Sequence, residues 1–272
     1  MKRRQFLTTA CAAGLAAATM RSATAAQPSS SPHFLDFRMI TFPNAQKLEA
    51  YTKYYGDVMV PTIARHGISP VGLFVADFNL NSKERNYNQK YDSVLFSLIS
   101  HPNFDSTQDL AGKMRTDAAY LEAAAAITQG ATSRDPLFAA HERMLLRCFP
   151  EFPAIKVPSL APNRILQLRM YRSHSFERSR AKAQQIAKQD GALQLFEECG
   201  IKTVFMSTTL YGAFMPSLVF MLYFESEEQK NDAWAKFVNH PEWKKLAADP
   251  AYADSVTEVI NIFLKPAPGS QI

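Results

Sequence analysis

Cysteine is scarce in this chain: there are three in 272 residues, Cys11, Cys148 and Cys199, and no two stand close together. That spacing excludes a zinc knuckle and a Cys-x-x-Cys redox pair. Cys148 and Cys199 read instead as buried thiols, which behave as small apolar groups. Glycine is also sparse, at 10 residues. None of them builds a phosphate-cradling loop, a dinucleotide fingerprint or the Gly-x-Ser-x-Gly elbow of a serine hydrolase. The six histidines, His33, His66, His101, His141, His174 and His240, never stand four apart and never frame a His-Glu-x-x-His run. No metal site is signalled by such a scatter. No apolar run approaches the roughly 20 residues that a membrane-spanning helix needs. No stable membrane anchor, metal or organic cofactor is therefore expected.

What is present begins at residue 1. Met1-Lys2-Arg3-Arg4-Gln5-Phe6-Leu7 is a short basic segment, followed by a weakly apolar run to Ala18 and by Ala23-Thr24-Ala25, a small-residue cleavage site. That order is an export signal. The arginine pair before Phe6-Leu7 resembles the twin-arginine type, which implies the twin-arginine export machinery as a partner and a protein that folds before it is moved. Residues 1–26 are thus expected to be a signal cleaved near Ala25, leaving a mature protein in the periplasm or outside the cell. Residues 27–33, in which Pro28 and Pro32 flank three serines, read as a flexible leader. Loss of Lys2, Arg3, Arg4 and Arg21 takes the 30 basic residues to 26 against 25 acidic ones, so the net charge falls from +5 to +1. A near-neutral body carries no concentrated basic patch, and nucleic acid is not an expected partner.

The body repeats itself. Leu35-Asp36-Phe37-Arg38-Met39-Ile40 returns 131 positions later as Leu166-Gln167-Leu168-Arg169-Met170-Tyr171, and the helix-ending pair His66-Gly67 is matched by Cys199-Gly200. The first half reads as strand 34–42, helical region 45–66, strands 71–78 and 91–100, helix 107–128 and strand 142–149. The second reads as strand 165–172, helix 176–199, strands 203–211 and 218–224, helix 227–247 and strand 255–264. Short, nearly continuous apolar runs such as Val94–Ile99 and Leu218–Phe224 suit strands covered on both faces, and Ala111–Ala126 is rich in helix formers. Each half is therefore β-α-β-β-α-β, the ferredoxin-like unit with both helices on one face of a four-stranded sheet. The expected fold class is α+β, with tandem duplicated units at 34–150 and 164–265, a Pro-rich linker at 151–163 and a tail at 266–272. The two bare sheet faces can be buried against each other. The halves could close a barrel within one monomer, or each could pair with another subunit as a homodimer.

Val58–Phe74, "VMVPTIARHGISPVGLF", resembles the helix-end, glycine, strand signature of NIPSNAP-family proteins. "LDFRMI" and "LQLRMY" are similar to that family's first strand, and Asn239–Trp243, "NHPEW", to a segment of its second helix. The resemblance covers both halves and implies a dimeric α+β barrel fold. His101-Pro102-Asn103-Phe104 has the same His-Pro-x-aromatic order but directly follows a strand, a different place. Ala187-Lys188-Gln189-Asp190-Gly191 approaches the Gly-x-x-Asp-Gly of dye-decolorising peroxidases, yet it lacks the first glycine and falls within an expected helix.

Alternation along a strand sorts the repeated motif into two faces. Leu35, Phe37 and Met39, with Leu166, Leu168 and Met170, are expected beneath the helices. Asp36 and Arg38, with Gln167, Arg169 and Tyr171, are expected to face the barrel interior. Those five residues are the candidate site. Asp36, Arg38, Gln167 and Arg169 are candidates to bind a ligand, and Tyr171 and His174 are the candidates to move a proton. An arginine two residues from Asp36 can equally be a structural pair, since an uncompensated buried charge costs several kcal/mol, about 3–5 when one partner is removed. Phe74, Phe78, Phe96, Phe205, Met206, Tyr211, Phe220 and Met221 are expected in the core, where such barrels can enclose an apolar pocket between sheet and helices. The expected function is an exported module that binds a small apolar molecule or a partner. The alternative is a cofactor-independent oxygenase or isomerase acting on a small apolar carbonyl compound, with Arg38 or Arg169 steadying an enolate.

Overall fold

The computed structural model describes residues 31–272. The expected signal, Cys11, the cleavage site and the start of the leader lie outside the described residues. The first half runs β1 (Phe34–Thr41), α1 (Ala45–Tyr54), α2 (Val60–Arg65), β2 (Val71–Ala76), α3 (Phe78–Asn81), β3 (Val94–His101), α4 (Asp105–Thr116), α5 (Ala118–Thr128) and β4 (Ala140–Cys148). The second runs β5 (Ile165–Arg172), α6 (Phe176–Ala187), α7 (Ala192–Glu198), β6 (Lys202–Tyr211), β7 (Ser217–Phe224), α8 (Glu227–Asn239), α9 (Pro241–Ala248) and β8 (Glu258–Pro266). A π-helical turn, Tyr55–Met59, joins α1 to α2.

Three helices that the sequence pattern reads as continuous are broken, each by an identifiable residue. Asp117 is extended, and its carboxylate accepts from the Tyr120 amide at 3.0 Å, so it ends α4 and caps α5. His240 does the same between α8 and α9, accepting from the Glu242 amide at 3.3 Å. Pro241 then takes the first position of α9, where its missing N–H leaves no bond unmade. Between α6 and α7 the chain turns through Asp190, at φ 58°, and Gly191. A Cβ on Gly191 would lie 2.6 Å from the Lys188 carbonyl oxygen. The stretch that approaches the peroxidase motif is thus a turn whose residues 188–190 are exposed.

The eight strands close into a barrel in the order β1-β3-β2-β8-β5-β7-β6-β4, every pair antiparallel. Within each half the order is that of a ferredoxin-like sheet. The halves are stitched by their edge strands: β2 pairs with β8 from Phe74↔Pro266 to Ala76↔Leu264, and β4 pairs with β6 from Leu145↔Tyr211 to Cys148↔Ser207. Closure removes every exposed sheet edge, and with it the unpaired N–H and C=O rows that an isolated unit would present.

The interior of the barrel is a packed apolar core fed by all eight strands, including Phe37, Phe74, Phe96, Met144, Phe205 and Met221. Alternation sorts β1 and β5 as expected, but the two faces are exchanged. Leu35, Phe37 and Met39, with Leu166, Leu168 and Met170, point into the barrel, whereas Asp36, Arg38, Gln167, Arg169 and Tyr171 meet the helices through Tyr55 and Trp234. The closed interior admits no solvent, so it takes the wholly apolar set. The polar set goes to the face where helix side chains can pair with it. Phe78 and Tyr211, expected in the core, are exposed because each stands where its strand has ended or is ending.

Of the expected tail, 266–272, Pro266 ends β8 and residues 267–272 lie across β2. The Gln271 amide donates to the Val71 carbonyl at 2.9 Å, the Ala267 amide to the Leu73 carbonyl at 2.8 Å, and the Leu73 amide to Ser270 Oγ at 3.0 Å. Ile272 is buried at the end of the barrel core, and Arg164 donates to its carbonyl oxygen at 2.6 Å. Two glycines permit this approach: a Cβ on Gly56 would meet the Pro268 carbonyl oxygen, and Gly269 stands at φ 83°.

Candidate functional site

The repeat places an arginine on the helix-facing side of each half, and the register shows what surrounds it. In the first half Arg38 lies opposite Ser97 on β3 and Arg143 on β4. Asp36 is 1% exposed and accepts four bonds: from Arg38 Nε at 3.0 Å and Nη2 at 2.6 Å, and from Arg143 Nε at 2.6 Å and Nη2 at 2.7 Å. Burial alone would push this carboxyl up; the Arg38 charge and the bonds from both arginines overrule it and hold it below the usual range. Tyr55, from the π-helical turn, adds its hydroxyl at 2.8 Å from Ser97 Oγ and 3.5 Å from Arg38 Nη1. His101 ends the same strand face. Its Nδ1 bonds Ser106 Oγ at 3.0 Å, its Nε2 is buried without a partner, and burial pushes it down to about 4, so it is neutral near pH 7. Here the structural pairing holds: Arg38 is tied to Asp36.

The second half replaces this network residue for residue. Gln167 stands where Asp36 stood, Asn261 lies opposite Arg169 where Arg143 lay opposite Arg38, and Phe220 takes the place of Ser97. An indole and two amides form a chain: Trp234 Nε1 donates to Gln167 Oε1 at 3.0 Å, Gln167 Nε2 donates to Asn261 Oδ1 at 2.8 Å, and Asn261 Nδ2 donates to Glu84 Oε2 at 3.4 Å. Arg169 is left with Nε donating to the Tyr171 hydroxyl at 3.0 Å, and with its guanidinium 4.9 Å from the Trp234 ring and 5.3 Å from the Tyr171 ring. Lys182, from α6, stands 5.4 Å from the Tyr171 ring and 5.9 Å from the Trp243 ring and donates to Gln185 at 2.6 Å. Burial, and then the Arg169 charge, push its amine down to about 8.

Arg169 and Lys182 have no carboxylate within ion-pair distance among the described residues. Contacts to aromatic faces orient a cation and stabilise it by about 0.5–2 kcal/mol, but they do not neutralise it. All five residues, Arg169, Tyr171, Lys182, Trp234 and Trp243, are half-buried, so the cluster opens to solvent. It presents two positive groups on an aromatic floor, suited to a small planar anion or a polarised carbonyl. Lys182 and Trp234 escape a strand-pattern reading because helices α6 and α8 deliver them. The useful signals in the sequence are the changes from Asp36 to Gln167 and from Ile40 to Tyr171 on either side of the repeated arginine.

The other candidates lie elsewhere. His174 is exposed in the loop after β5 and makes no hydrogen bond among the described residues. His66 Nε2 bonds Asp117 at 2.9 Å at the end of α2. Cys148 and Cys199 are free, buried thiols, both pushed up by burial, Cys148 to about 12. Among the described residues no group of three or more His, Cys, Asp or Glu side chains is arranged to hold a metal ion.

Residues 166–271, which hold the Arg169 cluster, match the NIPSNAP family profile. No well-characterised protein is similar to the chain in sequence. Among solved structures, a proposed monooxygenase from Lactobacillus acidophilus NCFM aligns at 11% identity, covering 88% of this chain and 98% of its own, with a TM-score of 0.56. An anthrone oxidase-like protein aligns at 8% identity, covering 89% and 96%, with a TM-score of 0.51. A proposed monooxygenase from Fusobacterium nucleatum aligns at 11% identity, covering 87% and 93%, with a TM-score of 0.50. At these identities the likeness is one of fold: an α+β chain whose eight strands close a barrel of the dimeric α+β type.

Proposed function

We propose that this protein is a small-molecule-binding module of the NIPSNAP-like barrel type, with its ligand site on the helix-facing side of the second half. The ligand class is a small planar compound bearing a carboxylate or an enolisable carbonyl. One observation carries the reading: Arg169 and Lys182 lack a carboxylate partner among the described residues, while the equivalent Arg38 is bound by Asp36. The chain's two tryptophans both belong to this cluster, so intrinsic fluorescence reports on it directly. Titration with benzoate should give a saturable change and titration with benzamide should not. Arg169→Met and Gln167→Asp, the second of which recreates the first half's pair, should each weaken benzoate at least tenfold with a melting temperature within a few degrees of wild type. Absence of any saturable change with planar carboxylates would sink the proposal, and so would an Arg169→Met variant that loses its fold.

A second reading is favoured by Lys182, whose lowered value lets it exchange a proton near pH 8 beside Arg169 and Tyr171. In a cofactor-independent oxygenase or isomerase, Arg169 would steady the enolate while Lys182 or Tyr171 moved the proton. Oxygen uptake with a bound enolisable substrate separates catalyst from binder. For the site of action we propose export, on the strength of Arg3-Arg4 and the segment behind them. Replacing both arginines with lysine should hold the precursor in the cytoplasm, and normal export of that variant would remove the twin-arginine assignment.

A further inference from the structure

Away from the Arg169 cluster, two adjoining cavities of about 810 and 470 Å³ open beside β4 and β6. Both are lined by Glu151, Ala187 and Lys188, so they form one groove with a waist at Ala187. One lip is the Pro-rich linker. The chain leaves the sheet at Phe149, whose amide donates to the Met206 carbonyl at 2.9 Å, and returns at Lys156, whose amide donates to the Val204 carbonyl at 2.8 Å. The residues between stand off from β6. The other lip is the end of α6, the turn through Asp190 and Gly191, and α7. The strained turn therefore has a structural consequence: it swings α7 away from the line of α6 and leaves the space open.

The chemistry of the walls is uneven. Phe149, Phe152, Leu193 and Ile201 supply an apolar floor. Arg147, Lys156 and Lys188 stand on the rim with no carboxylate partner among the described residues, each lying over an aromatic ring instead: Phe34 at 5.8 Å, Phe152 at 4.7 Å and Tyr252 at 5.4 Å. Lys202, a fourth cation, is already held by Glu225 at 2.8 Å. Glu151 and Glu197 are the acids of the lining, so the free cations outnumber them. Cys148 is in the wall, and burial raises its thiol, which disfavours the nucleophilic thiolate.

We propose that this groove binds an amphiphilic carboxylic acid, with the hydrocarbon chain along Phe152, Leu193 and Ile201 and the carboxylate at Lys156 and Lys188. Each of the two cavities lies within the range of roughly 300–1,000 Å³ typical of small-molecule sites, and an apolar floor with a few charged groups at the rim is what fixes such a ligand's direction. The proposal is independent of the Arg169 cluster, which shares no residue with the groove.

cis-Parinaric acid, whose fluorescence rises in an apolar site, is the probe. Wild-type protein should give saturable binding near one to one, and palmitate should displace the probe at least tenfold better than 1-hexadecanol. Leu193→Trp, which fills the floor, and Ala187→Phe, which blocks the waist, should each weaken binding at least tenfold; two variants are used because either could fail to fold, which circular dichroism would reveal. Lys156→Gln with Lys188→Gln should erase the preference for the acid over the alcohol. Four results would overturn the proposal: no saturable binding, equal displacement by acid and alcohol, a folded floor or waist variant that binds normally, or binding that survives those variants and disappears in Arg169→Met.

Discussion

Asp36 and Gln167 hold the same place in the two repeats, and the difference between a carboxylate and an amide decides what each neighbouring arginine can do. Asp36 binds two guanidinium groups, one of them on Arg143, which is half exposed. Removing its charge strands Arg38 among Tyr55, Ser97 and the sheet. Asp36→Asn should therefore cost about 3 kcal/mol at pH 7, the low end for a broken buried pair because Arg143 can turn to water. The folded carboxyl lies below its unfolded value, so its contribution is complete above the unfolded value near ~3.9 and is lost as pH falls through the folded one. The gap between variant and wild type should narrow in urea titrations at pH 3; a gap unchanged between pH 7 and pH 3 would show that the pair is not its source. The pairing of Asp36 with Arg38 was legible from their spacing on one strand. The second guanidinium was not, because Arg143 reaches Asp36 from a strand 107 residues away.

At the scale of the element, strands were the legible part. Apolar runs and alternation place all eight to within a few residues, because a strand's periodicity depends on its own sequence. Helix breaks were less legible. Asp117 and His240 interrupt runs of good helix formers by capping the next helix with their own side chains, a local competition that composition averages conceal. The π-helical turn is harder still to read, since its use lies in its neighbour: Gly56 makes room for Pro268 and Gly269 of the segment that covers β2. Gly56→Ala should displace that segment and cost about 1–3 kcal/mol, as overpacking usually does. The amides of Val71 and Leu73, bonded to Gln271 and Ser270, should then exchange with deuterium markedly faster than in wild type. Unchanged exchange at both would mean that the segment does not depend on the Gly56 contact.

On the scale of the whole molecule, the halves share one closed sheet and the apolar core inside it, besides the cluster each packs beneath its own helices. Barrel closure at β2·β8 and β4·β6 and the common interior predict a single cooperative transition in calorimetry, with calorimetric and van't Hoff enthalpies agreeing. Two resolved transitions would show that the halves melt as separate bodies. By itself the sequence determined the β-α-β-β-α-β order, its duplication, and which residues of each strand share a face, since all three follow from local periodicity and repetition. It did not determine which face is enclosed. The tertiary structure decided that by closing eight strands around Leu35, Phe37, Met39 and their repeats, leaving Asp36, Arg38, Gln167, Arg169 and Tyr171 to the helices. The reason is physical: alternation is a property of one strand, whereas inside and outside exist only once the edges of two distant sheets have met.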